Sequence, residues 1–231
     1  MIHFAPDGIV GDTARRIAAS DLALVNVDHW YTFKQGEIYA PVYLQLRNIT
    51  GMADWPILVK RLAEFKHWAF RTGKMTGKPV GVYGIPEGAV LLSGALAYAL
   101  QMHAVRIDSR ERSRGVTQEL LGAQPGDEVM LLEDTSSSGA SLVREAERLR
   151  SLGVQVKNAF IVATHGLGVE ERLQDAGITP FCLCRSQSIF SALFDAEPSR
   201  YDFRARKLVG DWFKDPLESS AKYLASRSVS I

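Results

Sequence analysis

The stretch Val129-Met130-Leu131-Leu132-Glu133-Asp134-Thr135-Ser136-Ser137-Ser138-Gly139-Ala140-Ser141 decides how the rest of the chain is read. Its first four residues form a continuous apolar run, the pattern of a parallel strand covered on both faces. Residues 141–152 then set Leu142, Ala146 and Leu149 on one helical stripe, and Gly153 stands where a left-handed C-terminal cap belongs. Between strand and helix lie two adjacent acids, four hydroxyl residues and a glycine. Open α/β sheets place ligands beyond the carboxyl ends of their strands, which is where these acids fall. Exposed amide N–H groups, hydroxyl donors and the positive end of a helix make a cradle for an anion. Gly139 lets the backbone approach that anion closely or take a positive φ. Each hydrogen bond to a charged oxygen contributes roughly 1.5–3 kcal/mol, so about four or five of them outweigh desolvation of one phosphate group. The acids would repel the phosphate unless they face something else, such as hydroxyl donors or a bound Mg²⁺. A sugar phosphate with free 2- and 3-hydroxyls satisfies both halves. The plainer alternative is that Thr135 or Ser138 only caps a helix.

From about residue 80 onward, short apolar runs alternate with amphipathic stretches. Residues 79–83, 104–107, 154–163 and 180–184 read as strands, and residues 89–100 and 169–176 as helices. Residues 108–126 are polar with little periodicity until Leu120-Leu121. This βαβα order predicts an α/β fold, a parallel central sheet with helices on both faces. Upstream, residues 12–20 predict a helix capped by Asp12 or Thr13, and residues 31–33 and 42–47 predict strands flanking a Gln35-Gly36 turn. Residues 54–72 predict a long amphipathic helix carrying Leu58, Leu62, Phe65 and Trp68. The tail after Glu197, with Tyr201, Phe203, Trp212 and Phe213, predicts one or two helices. The expected organisation is a single domain over residues 1–231: an N-terminal α+β hood to residue 75, a core over 76–196 and a C-terminal helical extension.

A chain of 231 residues with 46% apolar and 23% charged residues has the makings of a sizeable core. Its formal net charge of +1 advertises neither nucleic acid nor an acidic membrane surface, so phosphate binding must be local. Cys182 and Cys184 sit two apart, on one face of a strand, and are expected to pack rather than bridge or hold a metal. The start lacks a signal-peptide pattern and no stretch reaches the ~18–20 apolar residues that span a bilayer. The expectation is a cytoplasmic protein with no membrane partner.

Segment 129–141 resembles the signature of the type I phosphoribosyltransferases: a strand, two acids, two variable positions, two hydroxyl residues, glycine, a small residue and serine or threonine. Ser137 and Ser138 stand where threonines are commoner, and Ala140 where glycine is frequent. Other segments are similar to one branch, the orotate phosphoribosyltransferases. Tyr31-Thr32-Phe33-Lys34-Gln35-Gly36, followed by Ala40-Pro41-Val42-Tyr43-Leu44-Gln45-Leu46-Arg47, is similar to their N-terminal hairpin. Gly84-Ile85-Pro86-Glu87-Gly88-Ala89 resembles their pyrophosphate loop. The likeness runs from about residue 20 to 195.

The resemblance implies Mg²⁺-dependent transfer of a phosphoribosyl group from phosphoribosyl pyrophosphate to a pyrimidine base. Orotate is the lead candidate, with orotidine 5'-phosphate and pyrophosphate as products. It implies that Thr135, Ser136, Ser137, Ser138, Gly139, Ala140 and Ser141 hold the 5-phosphate while Glu133 and Asp134 orient the ribose hydroxyls. Ile85, Pro86, Glu87 and Gly88 would hold pyrophosphate, which itself carries most of the Mg²⁺, so no protein metal ligand is assigned. Lys34 would contact phosphate and Tyr43 would lie near the base. Arg106, Arg110 and Arg112 fall on the family's mobile loop, which reaches into a neighbouring subunit and implies a homodimer with shared sites.

Two segments depart from the family pattern. Ile107, Arg110 and Arg112 replace two lysines and a histidine; arginine keeps the charge but cannot give up a proton near neutral pH. Thr164-His165 replaces aspartate-arginine, leaving His165 to meet an anion or a base edge. Each residue also has a plainer reading: Lys34 a solvated turn lysine, Tyr43 a core aromatic, Gly84 and Gly88 packing glycines. By the same token residues 106–115 are an exposed mixed-charge loop and His165 an ordinary loop histidine. Three functions stay open: transfer to orotate, transfer to another base or acceptor, and a non-catalytic sensor of phosphoribosyl pyrophosphate. No basic arm or helix-turn-helix signal points to nucleic acid, and no Gly-x-Gly-x-x-Gly follows a strand and opens a helix, as a nicotinamide dehydrogenase requires.

Overall fold

The computed structural model describes residues 1–33, 38–112 and 115–228, with side chains described except at 109–117 and 228. In chain order the elements begin with β1 (His3–Phe4), α1 (Asp7–Ala18), β2 (Ala23–Val25), β3 (Tyr31–Thr32), β4 (Tyr39–Ala40) and β5 (Val42–Leu44). A short 3-10 helix (Leu46–Gly51), α2 (Trp55–Arg71), β6 (Gly81–Gly84), α3 (Val90–Ala99), β7 (His103–Arg112) and β8 (Gly115–Leu121) follow. The remainder is β9 (Val129–Ser136), α4 (Ala140–Ser151), β10 (Asn158–Thr164), α5 (Val169–Asp175), β11 (Thr179–Arg185), α6 (Ser186–Ala196), α7 (Phe203–Lys214) and α8 (Pro216–Ser228). They form two units, residues 1–13 with 46–186 and residues 14–45 with 187–231.

The first unit is built on a seven-stranded sheet in the order β1-β11-β10-β9-β6-β7-β8. All neighbours are parallel except β8, which returns antiparallel to β7. The run Val129 to Leu132 is fully buried, as a central strand covered on both faces must be. Val129 and Leu131 point to one face, packed with Leu142, Ala146 and Leu149 of α4 and Val169 and Leu173 of α5. On the other face Phe65 of α2 meets Phe160 and Phe181 edge-on at 5.6 and 6.0 Å. Gly153 takes φ +84° after α4, as expected of its cap. Cys182 and Cys184 are fully buried and unbridged. Burial pushes the Cys184 thiol up to about 12 and raises that of Cys182 well above its ordinary value.

Three expectations are corrected. The stretch after Ile107 is no irregular loop: β7 runs on to Arg112 and pairs with β8 from Arg106↔Leu121 to Arg112↔Gly115. The ladder is backbone hydrogen bonding in a two-stranded ribbon, which leaves little hydrophobic alternation to read. Helix α1 begins at Asp7, so Asp12 and Thr13 lie inside it. Asp12 accepts from Arg61 Nε at 2.8 Å and Thr13 is buried. The hairpin is also shorter than predicted. β3 pairs with β4, and β5 with β2 instead, because Pro41 has no N–H with which to carry one ladder into the next. Leu46 and Arg47 belong to the 3-10 helix, and the Gln35-Gly36 turn lies outside the described residues.

In the second unit the tail helices hold the short strands through side chains. Trp212 of α7, fully buried, donates from Nε1 to the Tyr39 carbonyl at 2.9 Å, while the Tyr39 amide donates to Ser220 Oγ at 2.9 Å. Tyr223 of α8 stacks on Trp30 at 4.5 Å and accepts from its amide at 3.1 Å. Asp202 caps α7 by accepting from the Ala205 amide at 2.8 Å. No helix among the described residues is long and apolar enough to cross a membrane.

Phe65→Ala is expected to lower stability by about 3–5 kcal/mol, because it empties the space between two core rings. Phe70→Ala, on the 47% exposed ring of the same helix, should stay within about 0.5 kcal/mol. Urea midpoints of the two variants check the difference, and similar midpoints would contradict the packing described.

Candidate functional site

β9 is apolar through Leu132 and then turns acidic: Glu133 is still buried, and Asp134 is the first side chain of the strand to leave the core. The adjoining strand β6 ends at the same level, with Gly84 in register with Leu132. The Ile85 amide donates to the Leu132 carbonyl at 2.8 Å, which binds the loop after β6 to the end of β9. A β-carbon on Gly84 would meet the Ala89 carbonyl and Ser93 Oγ at 2.5 Å, so the loop folds tightly back onto α3. A β-carbon on Gly88 would lie 2.5 Å from Asp134 Oδ2. Only glycine lets this backbone rest on that carboxylate. Ile85 is buried, Pro86 and Glu87 are exposed, and the peptide joining them is cis.

Asp134 is half-buried, and its Oδ1 accepts from the Thr135 amide at 2.8 Å. Burial raises its pKa; the Thr135 amide, its own amide and the Arg47 guanidinium pull the other way, which limits the rise. Strand alternation puts the buried Glu133 on the opposite face, the one beneath α4. The next residues are pinned to the loop after β10. The Ser136 carbonyl accepts from the His165 amide and Thr164 Oγ1, both at 3.0 Å, and the Ser137 carbonyl accepts from the Leu167 amide at 3.0 Å. Thr135 Oγ1 is buried with no hydrogen-bond partner among the described residues. Gly139 takes φ +75° at the N-cap of α4, and a β-carbon there would crowd Val169 at 3.2 Å. Ser138 Oγ accepts from Arg172 Nη1 of α5 at 3.3 Å.

The ends of β6, β9 and β10 therefore bring together the 84–88 loop, Asp134, residues 135–141, the His165 backbone and Arg172. His165 is buried, and desolvation lowers its pKa to about 4, so the ring is neutral at pH 7 and offers hydrogen bonds rather than a cation. Arg106 is exposed on β7, and the backbones of Arg110 and Arg112 face Thr117 and Gly115 across the ribbon. The side chains of Arg110 and Arg112, and all of Lys34, lie outside the described residues. Tyr43 belongs to the second unit, where it is half-buried and stacks on Tyr31 at 5.3 Å. Sequence reasoning missed the placement of two cations. Arg47 acts on Asp134, and Arg172 reaches Ser138 from 34 residues away. Neither has a local pattern that announces it.

The His165 shift has a consequence for stability. Because the folded pKa lies below the unfolded one, the unfolded chain takes up the proton first as pH falls. The associated stability is complete above about pH 6.5 and drains away towards the folded value of about 4. Between pH 7.5 and 4.5 the wild type should lose roughly 2–3 kcal/mol more than His165→Gln does. Denaturation at the two pH values measures this, and equal losses would mean that the imidazole protonates without unfolding.

No family model matches the chain. It is 25% identical to UMP synthase of Bos taurus over 164 residues, 71% of this chain but 33% of that protein. It is 27% identical to orotate phosphoribosyltransferase of Pyrococcus furiosus over 112 residues, 48% of this chain and 62% of that one. The chain thus spans about a third of the UMP synthases and less than two thirds of the orotate phosphoribosyltransferase. Among solved structures, Leishmania donovani UMP synthase aligns with a TM-score of 0.67 at 20% identity, covering 87% of this chain and 42% of that one. Mycobacterium tuberculosis H37Rv orotate phosphoribosyltransferase, in complex with phosphoribosyl pyrophosphate, aligns at 0.56 and 20% identity, covering 79% and 99%. At these identities the structural likeness speaks for the fold. The chain has the type I phosphoribosyltransferase fold, and among the proteins that share it the chain resembles those named orotate phosphoribosyltransferase and UMP synthase.

Proposed function

We propose that this chain transfers the phosphoribosyl group of phosphoribosyl pyrophosphate to a pyrimidine base, with orotate as acceptor and pyrophosphate as leaving group. The observation that carries the reading is the seating of Gly88 on the Asp134 carboxylate. It sets the 84–88 loop and residues 135–141 on adjoining strand ends with an acid between them, and in this reading each of the two segments binds an anion. Phosphoribosyl pyrophosphate has a phosphate at one end, a diphosphate at the other and a diol in the middle, which is the matching order. The names of the relatives support the acceptor, and the M. tuberculosis complex supports the donor.

In the reaction the bond from the anomeric carbon to pyrophosphate breaks and a bond to the base nitrogen forms, the nitrogen releasing its proton to solvent or to the departing pyrophosphate, with positive charge building on the ribose ring. The Asp134 carboxylate accepts from the ribose hydroxyls and favours that charge, with Glu133 on the other face of the same strand end. Residues Thr135 to Ser141 receive the 5-phosphate: Thr135 Oγ1 is a buried donor ready for it, and Arg172 adds the cation that segment 133–141 lacks. Ile85 to Gly88 hold the pyrophosphate. No group of three His, Cys, Asp or Glu side chains among the described residues is arranged to hold a metal. Asp134 beside the loop nevertheless fits Mg²⁺, which binds through one or two carboxylates and takes its other ligands from phosphate and water. When bound, Mg²⁺ neutralises the departing pyrophosphate. Arg106, Arg110 and Arg112 on the β7–β8 ribbon add to that neutralisation and exclude water. Neutral His165 meets the base. The protein acts as a homodimer, and α3 supports this: it has no charged residue and exposes Leu91 (71%) and Tyr98 (89%). Two reduced, buried thiols support a cytoplasmic setting.

Pyrophosphate release with Mg²⁺, phosphoribosyl pyrophosphate and a panel of bases tests the reading, and orotate is expected to give product. Product with a different base alone would reassign the acceptor; tight donor binding with no product on any base would replace the transferase with a sensor. Asp134→Ala should lower turnover on the order of 10²–10³-fold, and turnover near wild type would remove Asp134 from the site. Ser138→Ala should weaken donor binding by roughly 1–3 kcal/mol by calorimetry; unchanged affinity would remove Ser138 from the donor site.

A further inference from the structure

Inside the first unit the hydroxyl of Tyr83, on β6, donates to Glu145 Oε2, on α4, at 2.8 Å. Both side chains are buried, Tyr83 at 3% exposure and Glu145 at 6%. Glu145 adjoins Ala146 on the inward side of α4, where an alanine or leucine would pack without a charge to desolvate. Burying a carboxylate is costly unless it is well hydrogen-bonded. The other donors are marginal, Arg144 Nε at 3.4 Å and Arg148 Nη1 at 3.5 Å, so the Tyr83 hydroxyl makes the short bond. Packing alone does not call for this pair.

Its position supplies a reason. Tyr83 is the residue before Gly84, where the 84–88 loop begins. Glu145 lies five residues into α4 from Ala140, about 7–8 Å along the helix from the end that forms the cradle. The bond therefore runs from the strand that ends in one anion-binding segment to the helix that starts from the other. The strand ladder fixes β6 against β9 and the ties at residues 136–137 hold the turn into α4, but the apolar contacts under the helix are non-directional and do less to define its rotation. A short hydrogen bond is directional and defines it.

We propose that Tyr83 and Glu145 are positioning residues that set the separation between the 84–88 loop and the 135–141 cradle, so that both grip one phosphoribosyl pyrophosphate at once. The proposal rests on the donor assigned above. A ligand that bridges two sites gains from their correct spacing, whereas a ligand of either site alone does not.

Calorimetry on wild type, Tyr83→Phe and Glu145→Gln, each with phosphoribosyl pyrophosphate, ribose 5-phosphate and Mg²⁺-pyrophosphate, separates the possibilities. Tyr83→Phe is expected to bind phosphoribosyl pyrophosphate about tenfold more weakly, with the two single-ended ligands within about twofold of wild type. Glu145→Gln, whose amide oxygen still accepts from the phenol, should bind all three ligands nearly as wild type does. Unchanged affinity of Tyr83→Phe for phosphoribosyl pyrophosphate would overturn the proposal, as would equal weakening of all three ligands, which marks general loosening. A wild type that binds none of the three would instead sink the donor assignment, and the proposal with it, before any substitution is made.

Discussion

The contact on which the site depends is made by an atom that is not there. Because residue 88 has no side chain, the loop after β6 lies against the Asp134 carboxylate, and a β-carbon would come within 2.5 Å of it. That approach is possible because β6 and β9 are parallel neighbours ending at one level, with Gly84 opposite Leu132. The abrupt change from apolar to acidic at the end of β9 then leaves a charge where the sheet stops. Burial raises the pKa of the carboxylate, and the Thr135 amide, its own amide and the charge of Arg47 oppose that rise. A charge held in that way is poised to receive hydroxyl donors, which do not compete with it for protons at neutral pH.

Around this contact the backbone does most of the fastening. The carbonyls of Ser136 and Ser137 are tied to the amides of His165 and Leu167. These ties turn the carbonyls of the 136–137 segment towards β10 and hold the turn into α4 in place. The hydroxyl of Thr135 stays buried, without a partner among the described residues. A site assembled from strand ends and fixed peptides holds its shape before a ligand arrives, which is what electrostatic stabilisation requires.

The strand–loop–helix at 129–151 was legible in the sequence because its signals are local: an apolar run, a cluster of small donors, a 3.6-residue stripe. The parallel order of the sheet followed from the alternation of such segments. The β7–β8 ribbon was hidden, since Arg106 to Arg112 pair through backbone bonds while their side chains read as an ordinary polar stretch. Helix α1 starts before the predicted cap: Asp12 and Thr13 have the chemistry of N-cap residues, yet Gly8 and Gly11 ahead of them already lie inside the helix. Arg47, Arg172 and the Tyr83–Glu145 bond were unreadable for a different reason. Their meaning comes from partners dozens of residues away, such as the 62 that separate Tyr83 from Glu145. Lys34 and the side chains of Arg110 and Arg112 fall outside the described residues.

The two cysteines of β11 give the protein a built-in reporter. Both thiols are sealed between the layers, and burial holds them almost wholly protonated at neutral pH. Reagents that attack thiolates must wait until the layers packed on β11 open. The speed at which an alkylating dye labels the unmodified chain therefore becomes a clock for that opening, with no introduced probe needed.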